Sequence, residues 1–121
     1  MAFAHRGTVP ILRSFDADKA RAFYCDFLGF TVDWEHRFAP DLPLYMQVSR
    51  AGLVLHLSEH HGDATPGSAI RIEIAGLTAF HAELAEKRYA NARPGIETPP
   101  WGGRSVTVTD PSGNRLVFWE G

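Results

Sequence analysis

One order of elements occurs twice in these 121 residues, and no other feature constrains the fold as tightly. In the first half a short strand, 8–13 (TVPILR), leads into a helix that Asp16 caps. Ala20, Phe23, Tyr24, Phe27 and Leu28 recur at helical spacing, and Gly29 marks the stop. Three strands follow, at Phe30–Arg37, Leu44–Arg50 and Leu53–Ser58, and then a polar loop, His60–Gly67, reads as a linker. The second half repeats the order, with a strand at Ser68–Ile74, a helix at Leu77–Tyr89 and a strand near Arg93–Thr98. A break at Pro99-Pro100-Trp101-Gly102-Gly103 precedes a hairpin, Ser105–Thr109 and Arg115–Glu120, turning through Asp110-Pro111-Ser112-Gly113-Asn114. The expected architecture is α+β: two βαβββ modules of curled mixed sheet in a single domain spanning 1–121. Module one covers about 8–58, the linker about 59–67 and module two about 68–120.

Alternation along the strands separates two chemistries. If Ala51-Gly52 forms a two-residue hairpin loop, Leu53 pairs with Arg50, His56 with Gln47 and Ser58 with Tyr45. One face then carries Leu44, Met46, Val48, Leu53, Leu55 and Leu57, and packs on a helix. The other carries Tyr45, Gln47, Ser49, Val54, His56 and Ser58. In the second half Arg71, Glu73, Ser105, Thr107, Thr109, Arg115, Val117 and Trp119 likewise oppose an apolar set. A solvated sheet face would also look polar. The aromatics Tyr45, Trp119 and, if its strand runs in phase, Trp34 instead make this the composition of a ligand cleft.

Twelve Lys and Arg against fourteen Asp and Glu leave a formal charge of −2, no footprint for nucleic acid or an anionic membrane. No apolar run approaches the ~20 residues of a membrane span, and MAFAHRGTVP lacks a signal-peptide core, so a cytoplasmic protein is expected. Cys25, alone, forms no internal disulfide and reads as a small core or boundary residue.

The stretch VPILRSFDADKARAFYCDFLGF and the ending TDPSGNRLVFWE resemble the vicinal-oxygen-chelate superfamily, which includes glyoxalase I, extradiol dioxygenases and the bleomycin-resistance proteins. Val9-Pro10-Ile11-Leu12 and Pro100-Trp101-Gly102-Gly103 are most similar to the bleomycin-resistance proteins. That resemblance implies a homodimer in which each cleft is built from halves of different subunits, and which sequesters a drug without catalysis. Enzymes of the superfamily hold a divalent metal; carried onto this chain, their ligand positions fall on Val9, His56, Ala69 (or Ser68) and Val117. One competent position of four implies no metal and no cofactor. His60 lies four residues from His56, a spacing that converges on a metal only in a helix, and this segment reads as strand.

The resemblance places Trp34, Phe38, Ser58, Trp101 and Gly103 in a ligand cleft, with Trp101 stacking on planar rings and Gly103 allowing close approach to the backbone. Alternation adds Tyr45, Gln47, His56, Arg71 and Thr107. The expected partner is an aromatic small molecule, and an antibiotic such as bleomycin fits the resemblance. With Arg13, Arg71 and Arg115 on the inner face, a flat aromatic or partly anionic molecule suits the charge better than a polycation. The competing expectation is a metal-dependent glyoxalase or dioxygenase built around His56.

Overall fold

Pro10 decides where the first strand begins. It has no N–H to give a ladder, and its carbonyl accepts the first bond, from His56 N at 3.0 Å. In this computed structural model, which describes residues 2–89 and 93–121, β1 is therefore only Ile11–Arg13, shorter than the expected 8–13. Helix α1 (Ala17–Arg21) starts at Asp16, whose Oδ1 accepts from Lys19 N at 3.0 Å. It then widens into π-type turns over Ala22–Phe27, with Leu28 N bonding Phe23 O five residues back. The wide turn keeps Phe23, Tyr24 and Phe27 together on the buried side.

Strands β2 (Thr31–His36), β3 (Tyr45–Arg50) and β4 (Leu53–Ser58) complete a sheet of order β1-β4-β3-β2, with β1 parallel to β4. The second half repeats it with β5 (Ala69–Glu73), α2 (Leu77–Lys87), β6 (Ile96–Glu97), β7 (Arg104–Thr109) and β8 (Arg115–Glu120), in order β5-β8-β7-β6. The α+β reading with two βαβββ modules thus holds. In the first half β2 loses one residue at each end and β3 its first, and in the second half three elements are shorter than expected. Strand β5 loses one residue at each end, α2 ends at Lys87, and β6 keeps two residues of the expected six. Helix α2 stops early because Arg88 turns left-handed (φ 50°), which sends Tyr89 out to stack on Phe27 at 4.7 Å.

The β3–β4 register is the one alternation dictates: Arg50 opposite Leu53, Gln47 opposite His56, Tyr45 opposite Ser58. Ala51 (φ 50°) and Gly52 (φ 86°) both lie at positive φ, the mirror-image turn that matches strand twist. The helix-side faces of both sheets meet in one core, where Leu12, Met46, Leu55, Leu57, Val106, Leu116 and Phe118 join Phe23, Phe27, Leu77 and Leu84. The halves are also tied by polar contacts. Tyr24 donates to Asp110 Oδ2 at 2.6 Å, Asn114 Nδ2 to the Arg13 carbonyl at 2.8 Å, and Phe15 N to Ser112 Oγ at 3.1 Å. On the opposite corner Arg50 forks onto Glu83 with two 2.8 Å bonds. The core thus claims the helix sides, and the two inner faces share no side-chain hydrogen bond or ring contact among the described residues. No helix among those residues is long and apolar enough to cross a membrane.

Candidate functional site

The inner face of the first sheet is organised by one extra residue. Val32 pairs with Val48 on the core side, then the register shifts, and Trp34 pairs with Gln47 on the other. The bulged residue is Asp33. Without it Val32 and Trp34 would share a face; with it Trp34 joins Tyr45 and His56. The Trp34 and Tyr45 rings lie parallel, 5.9 Å apart and 10° from coplanar, and His56 sets its edge against both.

A directed chain of hydrogen bonds runs across this face. Asp33 accepts from Gln47 Nε2 and from Ser49 Oγ, each at 3.0 Å. Its carboxylate pKa is held below the usual range by those two bonds. Because the Gln47 amide nitrogen faces Asp33, its oxygen faces His56 and accepts from Nε2–H at 2.9 Å. Nδ1 is then the bare nitrogen, and it accepts from Tyr45 O–H at 2.7 Å. Desolvation pushes the His56 pKa down, and burial with the nearby Asp63 charge pushes the Tyr45 hydroxyl up. Both therefore favour the forms the chain requires, a neutral imidazole and a protonated phenol.

Beside this array a cavity of about 440 Å³ is lined by Trp34, His36, Phe38, Tyr45, His60 and Asp63. Phe38 stands edge-on to His36 at 4.7 Å and to His60 at 6.1 Å. Of the expected binding residues, Trp34, Phe38 and Tyr45 line this cavity, and His56 and Gln47 connect to it through the Tyr45 hydroxyl. Ser58 shares the register but has no exposed surface. It donates to Asp63 at 2.6 Å and accepts from His60 N at 3.1 Å, so it holds the 59–67 loop down and presents nothing to a ligand. That loop was expected to be a linker; through His60 and Asp63 it is a wall.

The second sheet offers a separate group. Arg71 lies opposite Val117, and Thr107 opposite the same Val117. The Arg71 guanidinium rests on the Trp119 ring, 4.4 Å from its centroid. Trp101 is 73% exposed at its loop and touches no ring of the first sheet among the described residues. Gly103 (φ +73°) has a different neighbour from the one expected: a Cβ there would meet Trp119 Nε1 at 2.6 Å and Glu120 O at 2.8 Å. The close approach is made by the protein's own indole. The inner faces therefore carry two separate groups, Trp34–Tyr45–His56 on the first sheet and Arg71–Trp119 on the second, with Trp101 exposed on the loop whose Gly102 carbonyl accepts from the Trp119 indole.

The residues do not fit a superfamily metal. Val9, Ala69 and Val117 offer no donor side chain, and both ring nitrogens of His56 are engaged within the chain. No group of three His, Cys, Asp or Glu is placed to hold an ion among the described residues. Asp33, His36, His60 and Asp63 were not singled out as binding residues in the sequence. The one signal for Asp33 is a strand-averse residue between Val32 and Trp34; His36, His60 and Asp63 gather only through the loop's path.

A family model described as "Glyoxalase superfamily protein" matches residues 2–121. The fold is similar to a bleomycin-binding protein from bleomycin-producing Streptomyces verticillus, solved with copper(II)-bleomycin, at 30% identity and TM-score 0.72 over 99% of each chain. An antibiotic binding protein from Streptomyces sp. CB03234 shares 23% identity and TM-score 0.74, covering 99% of this chain and 98% of that one. A glyoxalase-related enzyme from Clostridium phytofermentans shares 24% identity and TM-score 0.77, covering 98% and 97%. Among curated protein sequences nothing matches.

Proposed function

The chain belongs to the glyoxalase superfamily, and from that premise we propose that it is a metal-independent binding protein which sequesters a flat aromatic small molecule, an antibiotic being the leading class. The observation that carries this reading is the commitment of His56. The one donor left at the superfamily's ligand positions gives Nε2–H to Gln47 and takes the Tyr45 hydroxyl on Nδ1, beside an aromatic cavity. An imidazole held this way positions rings and has no lone pair free for an ion.

The two inner-face groups support a homodimer. Trp34 and Trp101 are exposed on separate parts of one chain, and a second copy would bring the 101–103 loop of one subunit over the Trp34–Tyr45 plates of the other. A planar ligand clasped between them exchanges water for aromatic faces at little entropic cost. Arg13, Arg71 and Arg115 lie at inner-face register positions, which favours a neutral or partly anionic ring system. The 30% identical neighbour that binds bleomycin makes bleomycin the first compound to try.

The test is a thermal-shift screen of bleomycin, planar quinone antibiotics and divalent metals, joined to metal analysis of protein purified without chelator. Ligand at a hundredfold excess over its Kd raises apparent stability by ~2.7 kcal/mol. Stabilisation by an aromatic compound with substoichiometric metal is expected. Stoichiometric nickel, zinc, iron or manganese would transfer the protein to the metal-dependent class.

A further inference from the structure

The two halves align at a constant offset through their first strand and helix. Ser14 N bonds the Ser58 carbonyl as Ile74 N bonds that of Trp119, and the helices begin at Ala17 and Leu77. Arg13 thus corresponds to Glu73 and Phe15 to Ala75. The second hairpins of the halves differ in length. Asp110 N bonds Asn114 O, which leaves three residues in the β7–β8 turn, whereas β3–β4 turns through Ala51-Gly52 alone.

That single residue has a consequence at the corner each hairpin faces. The longer turn covers the edge of β1. Asn114 Nδ2 donates to the Arg13 carbonyl at 2.8 Å, and Ser112 Oγ accepts from Phe15 N at 3.1 Å. At the matching corner Leu53 stands in the place of Asn114, and Ser112 has no counterpart. The Ala75 N–H has no partner among the described residues. The Glu73 carbonyl points to the free edge, since even-numbered residues of β5 bond β8. A groove of about 750 Å³ opens there, walled by Phe30, Leu53, Phe80 and Phe118 and including Glu73 and Ala75. Of the charged residues that line it, Arg50 and Glu83 neutralise each other, and Glu73 adds a carboxylate at the strand end.

We propose that this groove is a second binding site, separate from the inner faces, for a small amide bearing an apolar group, of the N-acyl amino-acid amide type. The carbonyl of residue 73 and the N–H of residue 75, just past the end of β5, correspond to the Arg13 carbonyl and Phe15 N–H that Asn114 and Ser112 engage at the other corner. That pair is complementary to the N–H and C=O flanking one Cα, which is the way a strand is extended by a parallel neighbour. The apolar group of such a ligand then covers the phenylalanine rings. The other half of the molecule displays the same recognition made internally, by a carboxamide and a hydroxyl.

The probe is N-acetyl-L-phenylalanine amide, titrated into uniformly ¹⁵N-labelled protein and followed by amide and indole NMR signals, with propylbenzene as a comparison lacking the amide. The Ala75 amide should move downfield saturably with the amide probe, should not do so with propylbenzene, and the Trp34 and Trp101 indoles should stay in place. Ala79→Trp, on the exposed start of α2 beside the groove, should weaken binding by about tenfold or more with an unchanged unfolding midpoint. An Ala75 signal that never moves, one that moves equally with propylbenzene, or full affinity in folded Ala79→Trp protein overturns the proposal. None of these outcomes bears on sequestration at the inner faces, which the indole signals and the antibiotic screen report separately.

Discussion

Tyr24→Phe removes one oxygen from the contact that clamps the two halves, and its cost can be worked from the structure. Tyr24 is 1% and Asp110 6% exposed, and the hydroxyl donates to Oδ2 at 2.6 Å. Burial pushes the phenol pKa far up, so the hydroxyl stays protonated and donates at any working pH. The carboxylate also accepts from Ser112 N and Asn114 N on Oδ1, at 2.9 and 2.8 Å, and from Asn114 Nδ2 on Oδ2 at 2.9 Å. The variant leaves Oδ2 with one donor in a place water does not readily reach. Loss of a hydrogen bond to a charged group costs about 1.5–3 kcal/mol, and the ring keeps its T-shaped contacts with Phe23 and Phe30. A destabilisation of about 2 kcal/mol is therefore expected, lowering Tm by about 8 °C for a chain of this length. Urea unfolding followed by tryptophan fluorescence, at unchanged m-value, measures it. A loss below about 0.5 kcal/mol would show that Asp110 is fully satisfied without Tyr24, and the clamp would have to be reassigned to Asn114.

Three further outcomes follow from the site. Trp101→Ala and Trp34→Ala should each cost a stacked aromatic ligand ~1–3 kcal/mol, read as Kd by isothermal calorimetry; unchanged Kd removes that ring from the cleft. His56 has a folded pKa below its unfolded value of about 6.5 because burial disfavours the imidazolium. Its contribution to stability is thus full above about pH 6.5 and declines as pH falls toward the folded pKa, where the unfolded chain binds the extra proton. Comparing unfolding free energies between pH 8 and pH 5 should show a shallower acid loss in His56→Asn than in the parent. Gly103→Ala should destabilise by about 1–3 kcal/mol, since φ is +73° and the new Cβ lands on the Trp119 indole. Its near-UV circular dichroism should change as that ring is displaced; an unaltered spectrum and midpoint would contradict the packing described.

Much of this architecture was legible because both halves obey simple periodicities. The Ala51-Gly52 turn sets a register, and that register alone puts Tyr45, Gln47 and His56 on one face. Legibility failed where a single residue broke a period. Nothing in strict alternation announces the bulge at Asp33, yet it decides which way Trp34 faces and supplies the acceptor that orients Gln47. Ser58 illustrates the opposite limit. Its parity was right, but parity is blind to a loop folding back, and the 60–63 turn covers it. Gly103 reads as an opening for a ligand, yet a side chain there would meet Trp119, a contact between residues sixteen apart that no local pattern encodes. Strand β1 contracted for a purely chemical reason, the missing N–H of Pro10.

The hydrogen-bond relay through His56 also bears on how such a chain could change trade over evolutionary time. Installing carboxylates or imidazoles at Val9, Ala69 and Val117 would not by itself recreate a catalyst's grip, because the histidine would still be tethered at both ends. Tyr45 or Gln47 would have to let go as well, and a Gln47 that turned away would leave Asp33 with Ser49 as its remaining side-chain donor. On the proposed reading, the distance between this sequence and an ion-using relative is longer than a count of absent ligands suggests, because the His56 relay would have to be dismantled as well.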